Sequence, residues 1–486
     1  MSAEKAPLHE FGFDPKDAKT SWIRSEFSHV TFGDMRLKKR FLKVAEDLFT
    51  APLSPINQAS ENWADSKAAY RLFDNEKIDC KAMLLPHRLG TVKRAGDNSV
   101  VLAVQDTVFV SYGTHPKTEG LGPIGKSNAT TDQGLVMHNS VAFTTTGIPL
   151  GILSQNIWAR AEVPDESRVE KIQRISGTAL ENKESFKWIV ALRETVEAFS
   201  STNCKLVTLA DREGDFFQFL AEADRLEANY VIRAKVERNL EEGSEYDTSL
   251  EALTAAPSLG TMEVKIQGNG SRAERVAKLE VKSVRVSLPP PYHAEKHGDY
   301  AKPISTTLIS ATEVDPPEGL DCLSWVLMTN MEAKTFKAAS EKIEWYTKRW
   351  GIETWHKVIK SGCKVEDCRL GTVKRLKRYL TMMSILAVRI MYLTYVSRLD
   401  PSAPADTAFA PGEIIAVFIR VERKMPPPRR VVTIKEVVGM VCSLGGHLGR
   451  KSDGDGGPTV MWRGLMSLYE TIDTLAALES MGTKIK

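Results

Sequence analysis

Val100-Val101-Leu102-Ala103-Val104-Gln105-Asp106 is an apolar run that closes on a carboxylate, and Leu206-Val207-Thr208-Leu209-Ala210-Asp211 repeats the pattern further along. Short apolar runs without strict alternation are the signature of strands buried on both faces. A third acidic residue, Glu353, lies on an amphipathic stretch with Tyr346, Arg349 and Lys360. Taken singly, each has a plain structural reading. Asp106 and Asp211 can be strand-terminating carboxylates, Asp211 to Asp215 can be a helix N-cap region, and Arg349–Glu353 can be a solvated i,i+4 pair. Taken together, two strand ends and one helix face can converge on a point. Three carboxylates supply the hard oxygen ligands that Mg²⁺ or Mn²⁺ requires. Two such ions about 4 Å apart activate a water and stabilise the leaving oxygen of a phosphodiester, with no Ser or His nucleophile.

Outward from these runs, the pattern is that of a mixed sheet. Strands are expected at Ser99 to Val110, Leu135 to Thr145 and Ile148 to Ile157, the last two paired around Thr146-Gly147. A helix from about Ser185 to Phe199, a strand at 204–210, a helix from about Asp215 to Leu226 and a strand at Tyr230 to Ala234 then alternate. Between about 235 and 324 the alternation gives way to a β-rich insertion. There Leu279-Val281 and Val284-Val286-Leu288 are in opposite phase, which predicts a bulge. The strand Trp325 to Met328 and a helix at about 339–361 resume the α/β pattern. On a regular helix at ~100° per residue, Tyr346, Arg349, Glu353 and Lys360 share one face within ~60° of arc.

The flanks read as helical. Residues 1 to 18 read as poorly ordered. Asp34 is a candidate N-cap, and Leu37, Phe41, Val44, Ala45 and Leu48 fall on one face. Arg36, Lys39, Arg40 and Lys43 gather on the opposite face, either as a solvated stripe or as a contact to a nucleic-acid backbone. Further helices are expected from Trp63 to Phe73 and before Ala95, and after Arg375 the chain is mostly helical. The expected division is 1–76 helical, 77–374 an α/β core with its insertion, and 375–486 helical.

Composition bounds the class without deciding it. The chain has 486 residues, 42% hydrophobic and 26% charged, with a net charge of +3, as ordinary globular proteins do. So small a positive charge does not by itself argue for nucleic acid. Six scattered cysteines, with only Cys363 and Cys368 close together, suit free thiols in a reducing compartment. The N-terminus has no apolar core of a signal peptide, and a cytoplasmic location is expected. The apolar run Tyr379 to Val396 carries Thr381, Ser384 and Arg389, which favours a buried helix over a membrane span.

Two competing motifs lose on context. Gly120-Leu-Gly-Pro-Ile-Gly125-Lys126-Ser127 fits the P-loop pattern, but a strand rather than a helix follows it and Pro123 sits inside the cradle. His293-Ala-Glu-Lys-His297 has its Glu one place off the zinc-helix pattern and no third ligand in sight.

Four stretches then carry a resemblance. They are Val101-Leu-Ala-Val-Gln-Asp106-Thr, Ala210-Asp211-Arg212-Glu213, Tyr346-Thr-Lys-Arg349-Trp-Gly-Ile-Glu353-Thr-Trp-His-Lys357-Val-Ile-Lys360, and Leu444-Gly-Gly-His-Leu-Gly-Arg450-Lys451-Ser-Asp453-Gly. The chain resembles the DDE transposases of the insertion-sequence-four family, and the third stretch has that family's Y-x2-R-x3-E-x6-K spacing. The resemblance implies an RNase H-like mixed-sheet α/β core with Asp106, Asp211 and Glu353 as catalytic, metal-binding triad. It implies Mg²⁺ as the cofactor, two ions per site, with Mn²⁺ able to substitute. Trp325 would stack near a flipped base, with Tyr346, Arg349, Lys357, Lys360 and Arg212 against the DNA beside it. Arg36, Lys39, Arg40 and Lys43 would bind the transposon end, and Arg450 and Lys451 would help hold DNA. The implied partners are duplex DNA bearing inverted-repeat ends, target DNA and a second copy of the chain, with no membrane and no nucleotide cofactor. The implied chemistry is hydrolysis at the transposon end, a hairpin intermediate and transfer of the 3′-OH. The alternatives from other classes are a DNA-binding regulator without catalysis and a P-loop ATPase.

Overall fold

The computed structural model describes residues 8–125, 132–162, 166–266, 275–291, 300–320, 322–423, 430–450 and 452–481. Lys126, Ser127, His293, His297 and Lys451 lie outside the described residues.

The N-terminal layer is helical: α1 (Pro15–Glu26), α2 (Met35–Thr50), α3 (Ile56–Ala59), α4 (Trp63–Asp74) and α5 (Cys80–Ala95). Helix α1 corrects the expectation of disorder up to residue 18. Asp14 caps it by accepting from the Lys16 and Asp17 amides, Pro15 fits the first turn, and Ile23 and Phe27 are fully buried. Asp34 caps α2 through the Arg36 amide as expected, and Leu37, Phe41, Val44, Ala45 and Leu48 are buried.

The core follows as β1 (Val100–Ser111), β2 (Gly122–Pro123), β3 (Gln133–Thr144), β4 (Pro149–Trp158), α6 (Arg168–Gly177), α7 (Phe186–Phe199), β5 (Lys205–Ala210), α8 (Phe217–Arg225) and β6 (Asn229–Arg233). The β3–β4 hairpin turns at Gly147, whose φ of +102° disfavours a side chain. Strand β1 runs antiparallel to β3 and parallel to β5, which is parallel to β6. This β4-β3-β1-β5-β6 order, three antiparallel strands continued by parallel ones, is the RNase H-like mixed sheet. The segment around Gly120 to Gly125 runs through β2 to the next described element, strand β3, and opens no helix among the described residues.

The insertion adds α9 (Ser249–Ala255), β7 (Ser258–Ile266), β8 (Arg275–Leu288) and β9 (Ile304–Glu313), and β10 (Ser324–Thr329) returns to the core. These strands extend the same sheet, in the order β6-β10-β9-β8-β7. Strand β8 itself runs in unbroken register with β9 from Leu279 to Leu288, and the irregularity lies on its other neighbour, where β7 fits an extra residue, Leu259, between the partners of Val281 and Lys282. The two halves of β8 bury opposite faces. Ala277, Leu279 and Val281 join the cluster that includes Ala339 and Ile343, whereas Val286 and Leu288 join the one that includes Ala252 and Leu253 of α9.

The segment expected as one helix at 339–361 is α10 (Phe336–Thr347), α11 (Trp350–Lys357) and a π-helical turn, Val358–Gly362. At the junction the amides of Lys348, Arg349, Gly351 and Ile352 bond three residues back, which tightens the turn. At the far end Cys363 N–H bonds to the Val358 carbonyl, five back, which widens it. Gly351 lets the first turn of α11 press on Phe143, which a Cβ would meet at 2.7 Å. The chain ends in α12 (Val373–Leu399), α13 (Pro411–Glu422), α14 (Ile434–Leu444) and α15 (Pro458–Ser480). Helix α12 is long and apolar enough to cross a membrane, yet it is mostly buried inside the protein against α5, α14, α15 and β4, as a core helix is. One hydrophobic cluster runs from Leu8 through the sheet to Leu475 and ties both helical flanks to the core.

Candidate active site

Sheet register gathers the site. Val104 is the last residue of β1 to pair with β5, opposite Leu209, so Asp211 just past the end of β5 comes beside Asp106, which lies within β1 rather than at its end. Asp106 faces Asn139 on its other side, and Ala210 pairs with Ile232, which puts Arg233 next to Asp211. Carboxyl ends of parallel strands are where open α/β sheets place their ligands. Helix α11 lies over β1 and brings Glu353 to the same cleft, of about 1560 Å³, which Asp106, Asp211, Arg349, Lys187 and Lys235 also line.

The electrostatics follow from that convergence. Burial, then the charges of Asp211 and Glu353, push the Asp106 carboxyl up to about 7, against the Thr107 N–H and Arg349. The Thr107 amide donates to Asp106 Oδ1 at 2.8 Å. Arg349 donates from Nη2 to Glu353 Oε1 at 2.7 Å and holds Nη1 4.0 Å from Asp106 Oδ2. Asp211 accepts from the Glu213 amide at 2.8 Å, which caps the short turn behind it. All three carboxylates are oxygen donors that repel one another, the donor set a hard divalent cation suits. Among the described residues, no three His, Cys, Asp or Glu side chains are already drawn together around one ion, and Glu353 is turned onto Arg349.

A buried polar chain backs Asp106. Gln155 Nε2 donates to Asn139 Oδ1 at 3.0 Å, Asn139 Nδ2 lies 3.4 Å from His356 Nε2, and His356 Nδ1 lies 3.9 Å from Asp106 Oδ2. Burial, then Lys360 and Arg349, push the His356 pKa down to about 3, so its ring is neutral.

The remaining expected residues fan out more than one helical face allows. Trp325 packs edge-on against Tyr346, ring centres 6.1 Å apart, on the β6–β10 side of the cleft. Lys357 is exposed. Lys360, carried round by the π-turn, bonds to the Phe109 carbonyl at 3.1 Å and to Glu366 at 3.0 Å. Arg212 is exposed beside Asp211. Sequence reasoning missed Arg233, whose pKa is lowered by burial and then by Arg212 and Arg349, so three guanidinium groups crowd one side of the triad. The signal was present: Arg233 closes the strand parallel to the one that ends at Asp211. Away from the cleft, Arg36, Lys39 and Arg40 are exposed on α2. Lys43 is instead ion-paired to Asp47 at 2.8 Å and to Glu61 at 2.5 Å. Arg450 is exposed in the loop after α14, its amide bonded to Asp453.

Family models match the chain in three places: a transposase DNA-binding domain at residues 19–78, a transposase DDE domain at 189–389, and a transposase Tn5 dimerisation domain at 385–477. The chain carries the three domains of a Tn5-type DDE transposase. The transposase therefore binds DNA, forms a homodimer and uses a divalent metal. Asp211 and Glu353 fall inside the DDE match, whereas Asp106 lies before it and joins them through sheet register. The exposed cations of α2 fall inside the DNA-binding match, and Arg450 falls inside the dimerisation match.

Proposed function

We propose that the protein is a cut-and-paste transposase of the insertion-sequence-four family that excises a DNA element at its inverted-repeat ends and joins the ends to target DNA. The observation that carries this reading is the convergence of Asp106, Asp211 and Glu353 on one cleft, flanked by Arg349, inside a chain with the transposase domains. Asp106, Asp211 and Glu353 would hold two Mg²⁺ ions, with Mn²⁺ as a substitute. Bound there, such ions activate the attacking oxygen and stabilise the leaving one.

The chain's own residues supply position and charge. Arg349, which reaches both Glu353 and Asp106, compensates the carboxylates and can fork onto the scissile phosphate. Trp325, half-buried and edge-on to the buried Tyr346, offers an aromatic surface to an unstacked base beside the site. Arg212, Arg233 and Lys357 line the approach with cations that suit a phosphate backbone. Four in-line displacements follow. Water attacks the end phosphodiester and frees a 3′-OH, which attacks the opposite strand to close a hairpin. Water then reopens the hairpin, and the 3′-OH attacks target DNA. The two attacks by water each break one ester bond and leave a terminal phosphate and a hydroxyl, the two attacks by 3′-OH exchange one ester oxygen for another, and none needs nucleotide hydrolysis.

In the proposed division, residues 1–76 read the end, 77–374 cut it and 375–486 dimerise, in the cytoplasm at the nucleoid. The test is a labelled duplex bearing the element's terminal repeat, incubated with and without Mg²⁺ and resolved on a denaturing gel. Metal-dependent nicking at the end and a hairpin product are expected. Binding without cleavage in Mg²⁺ or Mn²⁺ would favour a regulator instead. Tight ATP binding lost in Lys126→Ala would favour an ATPase.

A further inference from the structure

Glu366 lies outside the triad and the Y-x2-R-x3-E-x6-K stretch, in a short 3₁₀ turn, Val365–Asp367, just past the π-turn. Its Oε1 accepts from the Ser111 amide at 2.8 Å and stands 3.0 Å from Lys360 Nζ. Lys360 also donates to the Phe109 carbonyl at 3.1 Å. An ammonium has three N–H donors, so two are committed to protein acceptors and one is left over. The side chain is 35% exposed, so the third donor has access to solvent.

Independent contacts fix the frame around this pair. Tyr112 Oη donates to the Val365 carbonyl at 3.1 Å, which fastens the turn to the end of β1. Lys364 takes a left-handed φ of +45°, which reverses the chain after the π-turn. Gly362 lies against Trp462, which a Cβ would meet at 2.6 Å, so the turn cannot relax outward. The acceptors Phe109 and Glu366 thus hold one lysine against the same strand that carries Asp106. A lysine free to rotate would lose substantial side-chain entropy on gripping a phosphate, and one already held loses less.

We propose that Glu366 is a positioning residue that holds Lys360 against β1 with one N–H left to grip a phosphate of the DNA strand being cut. The proposal rests on the transposase reading above. It differs from a merely structural ion pair in its readout: a structural pair shows its non-additive losses in the melts, whereas Glu366 acting through Lys360 shows them in the cleavage rate.

The experiment is a double-mutant cycle on single-turnover cleavage of saturating end DNA by the full-length protein, with end-binding affinity and thermal melts measured in parallel. Glu366→Ala should slow cleavage about 10- to 100-fold, the loss expected from misplacing a positioning group, with end affinity nearly unchanged. Glu366→Gln, which keeps the acceptor, should restore most of the rate. The double variant Lys360→Ala/Glu366→Ala should cleave no more slowly than Lys360→Ala alone. Should Glu366→Ala fail to fold, Glu366→Met keeps the side-chain length and enters the same cycle. Losses that multiply in the double variant, or wild-type cleavage by the single Glu366 variant, would overturn the proposal and leave the transposase reading standing. Wild-type protein that cuts in neither Mg²⁺ nor Mn²⁺ would overturn both.

Discussion

Arg349 and Glu353 form a short i,i+4 pair, Nη2 to Oε1 2.7 Å, inside the cleft rather than on the surface. The same guanidinium stands 4.0 Å from Asp106, so one cation bridges two carboxylates of the candidate triad. Lysine offers a point charge and cannot fork in this way. Arg349→Lys should therefore slow end cleavage about 100-fold while leaving end binding within a few-fold. A gel-shift titration beside the cleavage assay checks this, and an equal loss in both would make Arg349 a simple DNA contact.

The Asp106 carboxyl, raised to about 7, gives a stability prediction with a definite sign. A carboxyl whose folded pKa lies above its unfolded value favours the native state while protonated. That advantage is complete below the unfolded value near 3.8 and is lost as pH rises through about 7. Metal-free wild-type protein should thus lose on the order of 4 kcal/mol between pH 4 and pH 8 from this group. Asp106→Asn should melt higher than wild type at pH 8 without divalent metal, and the gap should close near pH 4. Equal melting temperatures at pH 8 would contradict the buried, crowded carboxylate.

The same carboxyl must lose its proton to ligate a cation. Divalent-metal affinity, read by calorimetry with Mn²⁺, should weaken about tenfold per pH unit below 7 if one proton is displaced. A flat profile from pH 5.5 to 7 would remove Asp106 from the metal site.

The cations of α2 divide into two groups. Arg36→Ala with Arg40→Ala removes two exposed charges, so end binding should weaken and its salt slope fall by about 2. Lys43→Ala breaks ion pairs to Asp47 and Glu61 within the helical layer, so it should lower the melting temperature more than the salt slope. The opposite ranking would put Lys43 on the DNA and take the arginines off it.

The N-terminal layer is fastened to the sheet by a buried network. Burial penalises the Glu26 carboxylate, yet His87 and Arg94 hold it below the usual carboxylate range. Arg94 donates to Glu26 Oε2 at 2.9 Å and to the Leu150 carbonyl of β4 at 2.8 Å. His87 Nε2 accepts from the Ile152 amide at 2.8 Å, so the ring is neutral and its Nδ1–H faces Glu26. Gly151 permits this approach, since a Cβ there would meet Thr91 Oγ1 at 2.0 Å. Glu26→Ala strips a counter-ion from the partly exposed Arg94 and the acceptor from buried His87, and should cost about 1–3 kcal/mol. Because the folded pKa is depressed, that difference should hold above the ordinary glutamate range and shrink as pH falls below it. Denaturant melts at pH 7 and pH 3 read both.

Much of the core was legible because its signals are local. The apolar runs ending at Asp106 and Asp211, the Thr146-Gly147 hairpin and the Asp34 cap each depend on a few neighbouring residues. What escaped depends on long-range context. Helix α1 is polar along most of its length and is fixed by burying Ile23 and Phe27 in a cluster shared with distant α15. The phase change in β8 is symmetric between a bulge and a change of buried face, and only the helices on either side decide it. The Tyr346-to-Lys360 spacing fits a regular helix, but the tight turn at Arg349 and the π-turn after Lys357 redirect its side chains. Arg233 and Glu366 carry no motif, and only sheet register and chain reversal bring the first next to Asp211 and the second against β1 and Lys360.

The central claim is that Asp106, Asp211 and Glu353 act as one metal site for cutting DNA. Its most direct test compares wild type with Asp106→Ala, Asp211→Ala and Glu353→Ala on a labelled transposon-end duplex in Mg²⁺, scoring strand cleavage and binding on the same samples. Each variant should bind the end and fail to cut it. Cleavage that survives in any one of the three would contradict the triad.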